Sequence, residues 1–182
     1  MMKKAIKVLT IITPVFLVLA IAAGAVLFFG PSGLPALKGA TGGYGSFDMR
    51  FSYTADAIMT VFSHFDGDRV DIFSKYFMLD YMFLALCAVV MVSLPLMIYL
   101  RDDKHYLLFR SAMFSAIVYA LFNVIENLMI MDMVNTTPRF TDGEANLCSG
   151  ITMLKWAFLC VWVLSIVLLM IFTLLDGLKD KD

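Results

Sequence analysis

Asn123-Val124-Ile125-Glu126-Asn127-Leu128-Met129-Ile130-Met131 closes the third of four long apolar runs in this chain. A carboxylate inside such a run is expensive unless it is paired or wetted, so it marks a functional site whose partner has to be named. Two partners are on offer: Asp80 in the second run and Lys155 in the fourth. The trio predicts a polar site inside a small membrane protein. It does not by itself say what chemistry the site performs.

Working outward, 61% of the 182 residues are apolar, against about 45–50% in a soluble domain. The excess is gathered into runs from about Ala5 to Phe29, Tyr76 to Leu100, Leu107 to Met131 and Ile151 to Leu175. Each approaches the ~20 apolar residues that a helix needs to cross the hydrocarbon. Barrel strands would alternate, so runs this continuous are helices. The expected fold is all-α: one integral membrane four-helix bundle over residues 1–182, with an outward loop over 30–75 that carries a short amphipathic helix.

The formal net charge of −1 gives no global field for nucleic acid. Cys87, Cys148 and Cys160 lie within or beside spans, with no C-x-x-C, so paired-cysteine redox chemistry is not expected. His64 and His105 fall in loops without a nearby Cys or second His, so no zinc site is expected, and no cofactor is implied. Asp66, Asp68 and Asp71 lack the length and closing Glu of a calcium loop. They read as a solvated turn followed by acids at a helix N-terminus.

Charge in the links sets the expected orientation. Lys3, Lys4 and Lys7 precede the first span, Arg101, Lys104 and His105 fill the second link, and Lys179 and Lys181 close the chain. The third link sets only Arg139 against Asp132, Asp142 and Glu144. The positive-inside rule then puts both termini and the short basic link in the cytoplasm, and the expected location is the plasma membrane of a bacterium. The first span also resembles a signal peptide, with an n-region over 1–7 and Ala23-Gly24-Ala25 as a cleavage-like triplet. Its apolar run continues through Val26-Leu27-Phe28-Phe29, which favours a retained anchor. Ala20 and Gly24 form a small-xxx-small pair suited to close helix packing.

In the outer loop, residues 30–45 are rich in Gly and Pro and read as irregular chain. Residues 47–53 suit a short extended piece. Thr54 caps a predicted helix from about Ala55 to Phe65, with Ile58, Val61, Phe62 and Phe65 at helical spacing. That helix is expected to lie on the outer leaflet or to cap the bundle. From Arg69 a further helix should run into span two.

Counted from the predicted outer ends of their spans, Asp80, Glu126 and Lys155 all lie roughly 6–8 Å deep at 1.5 Å per residue. They reach a common level while running in different directions along the chain. On span three Ser111, Ser115, Tyr119, Asn123 and Asn127 form a polar stripe, which should face the bundle interior. Thr152, Lys155, Trp162 and Ser165 share one face of span four. The competing reading is an ion-pair network that only fixes helix register.

Leu79-Asp80-Tyr81-Met82-Phe83, Asn123-Val124-Ile125-Glu126-Asn127 and Thr152-Met153-Leu154-Lys155-Trp156 resemble a widespread group of small bacterial and eukaryotic four-span membrane proteins without an assigned activity. Gly67-Asp68-Arg69, Tyr76 and Asp80 are similar to that group as well, and the likeness covers about 53–175. The resemblance implies that the trio is a shared feature and supplies no reaction.

Three functions compete. In the first, the outer halves of the helices enclose a pocket for a lipid or small amphiphile, lined by Asp80, Tyr119, Asn123, Glu126, Asn127, Lys155 and Trp156. There Asp80 and Glu126 would hold a cationic or hydroxylated headgroup, with Lys155 balancing the charge. In the second, the protein is a lipid-modifying enzyme with Glu126 or Asp80 as general acid or base, although no Ser-His or Cys-His pair is available. In the third, the protein is an accessory subunit of a larger membrane partner, with a structural polar network and an adaptable surface rich in Met.

Overall fold

A computed structural model of the chain describes residues 2–65, 68–101 and 104–179. The described residues form six helices and no strand: α1 (Met2–Phe29), α2 (Leu34–Ala40), α3 (Ala55–Ser63), α4 (Arg69–Tyr99), α5 (Tyr106–Thr136) and α6 (Asp142–Lys179). The helices α1, α4, α5 and α6 are long and apolar enough to cross a membrane. They pack in a row, α1 against α4, α4 against α5 and α5 against α6, while α1 and α6 share no packed face.

The faces of α5 show why this bundle suits lipid. Leu107, Phe114, Leu121 and Leu128, spaced by seven, point outward and are exposed. Ser115, Asn123, Glu126 and Asn127 point inward and are buried. A soluble helix has the opposite pattern. Where α1 meets α4, a Cβ built on Gly24 would lie 3.1 Å from the Phe83 ring. The small residue therefore permits the close approach that its spacing from Ala20 suggests.

The helices are longer than their apolar runs because polar caps extend them. Asp68 accepts from the backbone amides of Val70 and Asp71, which starts α4 one residue later. Asp71 then pairs with Lys75 one turn on, at 2.6 Å. These two acids are thus helix-start residues, while Asp66 lies outside the described residues. Thr141 and Glu144 form a reciprocal capping box, which starts α6 at Asp142, nine residues ahead of the apolar run. The expected acidic last loop therefore shrinks to residues 137–141.

The outer segment departs from expectation in two places. Residues 34–40, read as irregular, are helix α2, with Pro35 in its first turn where the missing N–H costs nothing. Within residues 47–53, read as extended, 47–51 are turn and bend, closed by the Arg50 amide on the Phe47 carbonyl at 2.9 Å. The Thr54 cap and α3 lie as predicted, with Thr54 accepting from the Ala57 amide at 3.3 Å. α3 packs on the ends of the long helices, as a cap on the bundle would. Ile58, Val61 and Phe62 are buried in an aromatic core with Phe47, Phe73 and Phe140, whose rings meet Phe62 edge-on at 5.9, 6.0 and 6.2 Å. This core joins the start of α4, the end of α5 and the start of α6 and carries the 45–50 turn.

At the opposite end, His105 Nε2 lies 3.1 Å from Asp176 Oδ2, and Lys104 Nζ lies 3.9 Å from the same oxygen. The basic link is thereby tied to the last turns of α6. Of the two closing lysines, Lys181 lies outside the described residues.

Candidate functional site

The trio converges. Lys155, 2% exposed, donates to the Glu126 carboxylate, which has no exposed surface at all. Thr152, one turn before Lys155, donates to the other oxygen of Glu126. A second Lys155 proton goes to the backbone carbonyl of Asp48 at 3.0 Å, and the ammonium sits 5.7 Å from the centre of the Trp156 ring. That places it in cation–π range. Two of the three ammonium protons thus have oxygen acceptors, and the charge is paired, as a buried charge must be.

Asp80 belongs to a second group. Asn127 donates to Asp80 Oδ2 at 2.7 Å and to Asn123 Oδ1 at 3.2 Å, so one amide ties Asp80 of α4 to the stripe on α5. The other Asp80 oxygen receives no hydrogen bond from a described residue and is not sealed in the interior. Asn127 Oδ1 is buried without a partner, the cost of using both amide protons this way.

Sequence reasoning missed Asp48. It is buried, its carboxylate accepts from Ser46, and the Tyr76 hydroxyl lies 3.3 Å from each of its oxygens. Its position depends on Gly45, whose φ of +72° only glycine adopts freely, and whose amide donates to Thr41 Oγ1 at 2.9 Å. A lone acid in a Gly-rich loop gives no periodic signal. The only hint was its setting between Phe47 and Phe51. Tyr53 is a second missed member. Its hydroxyl lies 3.1 Å from Thr152 Oγ1 and 3.0 Å from Cys148 Sγ, and its amide donates to Ser149 at 2.9 Å. Burial, reinforced by Cys148, pushes its phenol up, so it stays a donor.

These groups surround the polar end of a cleft of about 390 Å³ between α1 and α6, within the usual span of ligand pockets of about 300–1,000 Å³. Asp48, Asp80, Asn123, Tyr119 and Lys155 line that end. From there apolar walls run along Phe83 and Met91 of α4, Leu17 and Ala20 of α1, and Leu159 and Trp162 of α6. From Asp80 to Met91 is about 16 Å of helix at 1.5 Å per residue. Trp162 is fixed by its indole donating to the Met91 carbonyl at 3.0 Å.

Of the seven residues expected to line a pocket, Asp80, Tyr119, Asn123, Lys155 and Trp156 do so. Glu126 and Asn127 are not on its wall. They sit behind it, fully buried, and hold Lys155 and Asp80 respectively. The expected lid, α3, contributes nothing to the lining; the 45–50 turn closes the polar end instead, through Asp48 and Met49. Among the described residues no three His, Cys, Asp or Glu side chains are placed to share a metal ion.

No family model matches this chain, no curated protein is similar to it, and no solved structure matches its fold.

Proposed function

We propose that this is an integral membrane protein, both termini cytoplasmic, whose cleft binds a lipid or small amphiphile that enters sideways from the bilayer between α1 and α6. The observation that carries this reading is the shape and polarity of the cleft. It has one charged end, an apolar tail, and a seam between two helices that do not pack together. An amphiphile matches that distribution, since its chain takes the apolar walls and its headgroup meets the carboxylates. An even number of crossings is consistent with both ends on one side, and the basic links assign that side to the cytoplasm. The likeness to small four-span proteins of bacteria and eukaryotes is part of the same reading. The residues that carry it, Asp80, Glu126-Asn127 and Lys155-Trp156, are the ones grouped at the charged end.

Native mass spectrometry of protein gently extracted from its own membrane tests this. Wild type should retain a defined small molecule. Leu159→Trp, which fills the apolar walls without touching the polar groups, should lose it while melting at the wild-type temperature. A wild-type spectrum with no specific adduct overturns the reading and moves the accessory subunit to first place. A lipid-modifying enzyme is the second reading. It is favoured by one observation, the Asp80 oxygen left without a hydrogen bond in an apolar cleft, where a general base would stand.

A further inference from the structure

We infer that the headgroup bound at the polar end is a cation, a protonated amine or quaternary ammonium seated between Asp48 and Asp80. This rests on the proposed amphiphile-binding function and names the chemical class of its ligand.

Counted as ionised, the side chains around the cleft carry an excess of negative charge. Three carboxylates, Asp48, Asp80 and Glu126, are buried around a single ammonium, Lys155. The ion pair of that ammonium is with Glu126, and it reaches Asp48 through the backbone carbonyl rather than the carboxylate. Neither Asp48 nor Asp80 forms an ion pair with a described residue; their side chains take hydrogen bonds from neutral groups alone, Ser46 and Tyr76 on one and Asn127 on the other. Arg50, the nearest basic residue in sequence, turns away to the Tyr44 carbonyl and the Tyr44 and Phe47 rings. Buried carboxylates are paired, because an unpaired one loses hydration that neutral donors replace only in part.

The two acids also share a place. Both line the polar end of the cleft, and Tyr76, whose hydroxyl meets Asp48, sits one turn before Asp80 on α4. Asp80 is 95% buried yet keeps one oxygen free of any donor among the described residues and unsealed. A headgroup that brings its own positive charge supplies the missing partner, and charge-assisted hydrogen bonds are the strong ones. A carboxylate or phosphate headgroup would add a fourth or fifth negative charge to the same small volume.

The protein carries its own reporter. It has two tryptophans, Trp156 and Trp162, and both line the cleft. Wild type in phosphatidylcholine nanodiscs is titrated with an ω-brominated long-chain alkyl amine, the matched alcohol and the matched carboxylate, following quenching of tryptophan emission. The amine should quench saturably at a concentration about tenfold lower than the alcohol, with the carboxylate weakest. Unbrominated amine, but not alcohol at the same concentration, should reverse the quenching. Asp80→Asn and Asp48→Asn keep their acceptor oxygens, and each should bring the amine down to the level of the alcohol while leaving the alcohol unchanged. The wild-type competition decides the matter even where a variant fails to fold. Equal, saturable binding of amine and alcohol to wild type overturns the cation and leaves the amphiphile reading standing. So does an amine preference that survives both substitutions. Absence of saturable quenching by all three probes overturns both.

Discussion

At the scale of residues, the site rests on one buried ion pair and one amide clamp. Lys155 and Glu126 sit at 2% and 0% exposure, so removing one leaves the other charged and unpaired. Lys155→Met should lower stability by about 3–5 kcal/mol, the usual cost of breaking a buried pair from one side. The double variant Lys155→Met, Glu126→Gln should lose less than the single one in detergent melts; equal losses would show that the pair is not energetically coupled. Asn127→Leu should release Asp80 and abolish retention of bound ligand in native spectra, because the 2.7 Å hydrogen bond that orients the carboxylate is gone. The pair was legible in the sequence because charge in an apolar run is conspicuous and helical rise gives depth, whereas the Asn127 clamp on Asp80 was not. Which of them face a void was not legible: Glu126 and Asp80 lie at similar depth, yet one is sealed and the other lines the cleft. That difference depends on rotation about the helix axis and on α1, which carries no charge at that level.

At the scale of elements, the outer segment is a small folded layer rather than a tether. Phe62 of α3 is held edge-on by three aromatic rings, and Phe47 among them is adjacent to Asp48. Phe62→Ala should cost about 3–5 kcal/mol, the usual cost of removing a buried Phe. Gly45→Ala should cost about 1–2 kcal/mol by forcing an L-residue into the left-handed region, and its Cβ would press on Lys38 at 3.3 Å. Both should weaken ligand retention at the cleft without altering α4, α5 or α6, as read by helical circular dichroism together with native spectra. α3 was readable from its cap and period. α2 was not, because Gly and Pro dominate residues 30–45 and a seven-residue helix offers only two turns of pattern. The 45–50 turn has no local signature, since its shape is imposed by contacts to residues far along the chain.

At the scale of the whole molecule, the row α1–α4–α5–α6 leaves its two end helices flanking a seam. Cysteines introduced in the basic link at Arg101 or Lys104 should react with a membrane-impermeant maleimide only in inverted vesicles. Labelling from outside intact cells would reverse the orientation and place the cleft's charged end in the cytoplasmic half. The four spans, their order and the polar interior were all written in the runs of apolar residues and the α5 stripe. The seam was not, because which helices fail to touch is a property of packing and not of any one segment.

The five residues between α5 and α6 also bear on how the chain is made. Glu126 leaves the ribosome before Lys155, so α5 meets the translocon carrying a carboxylate whose partner has not yet been synthesised. A lone charge at the helix centre opposes insertion by about 2.5–3.5 kcal/mol, and less nearer the boundary. A connection of residues 137–141 lets α6 follow at once, so the two helices can enter as a hairpin with their charges already neutralised. Ribosome-bound chains ending before Cys148 should therefore hold α5 in the membrane poorly, and chains extended past Lys155 should hold it well. Biosynthesis of this protein would then have a commitment point, set by the arrival of a single lysine.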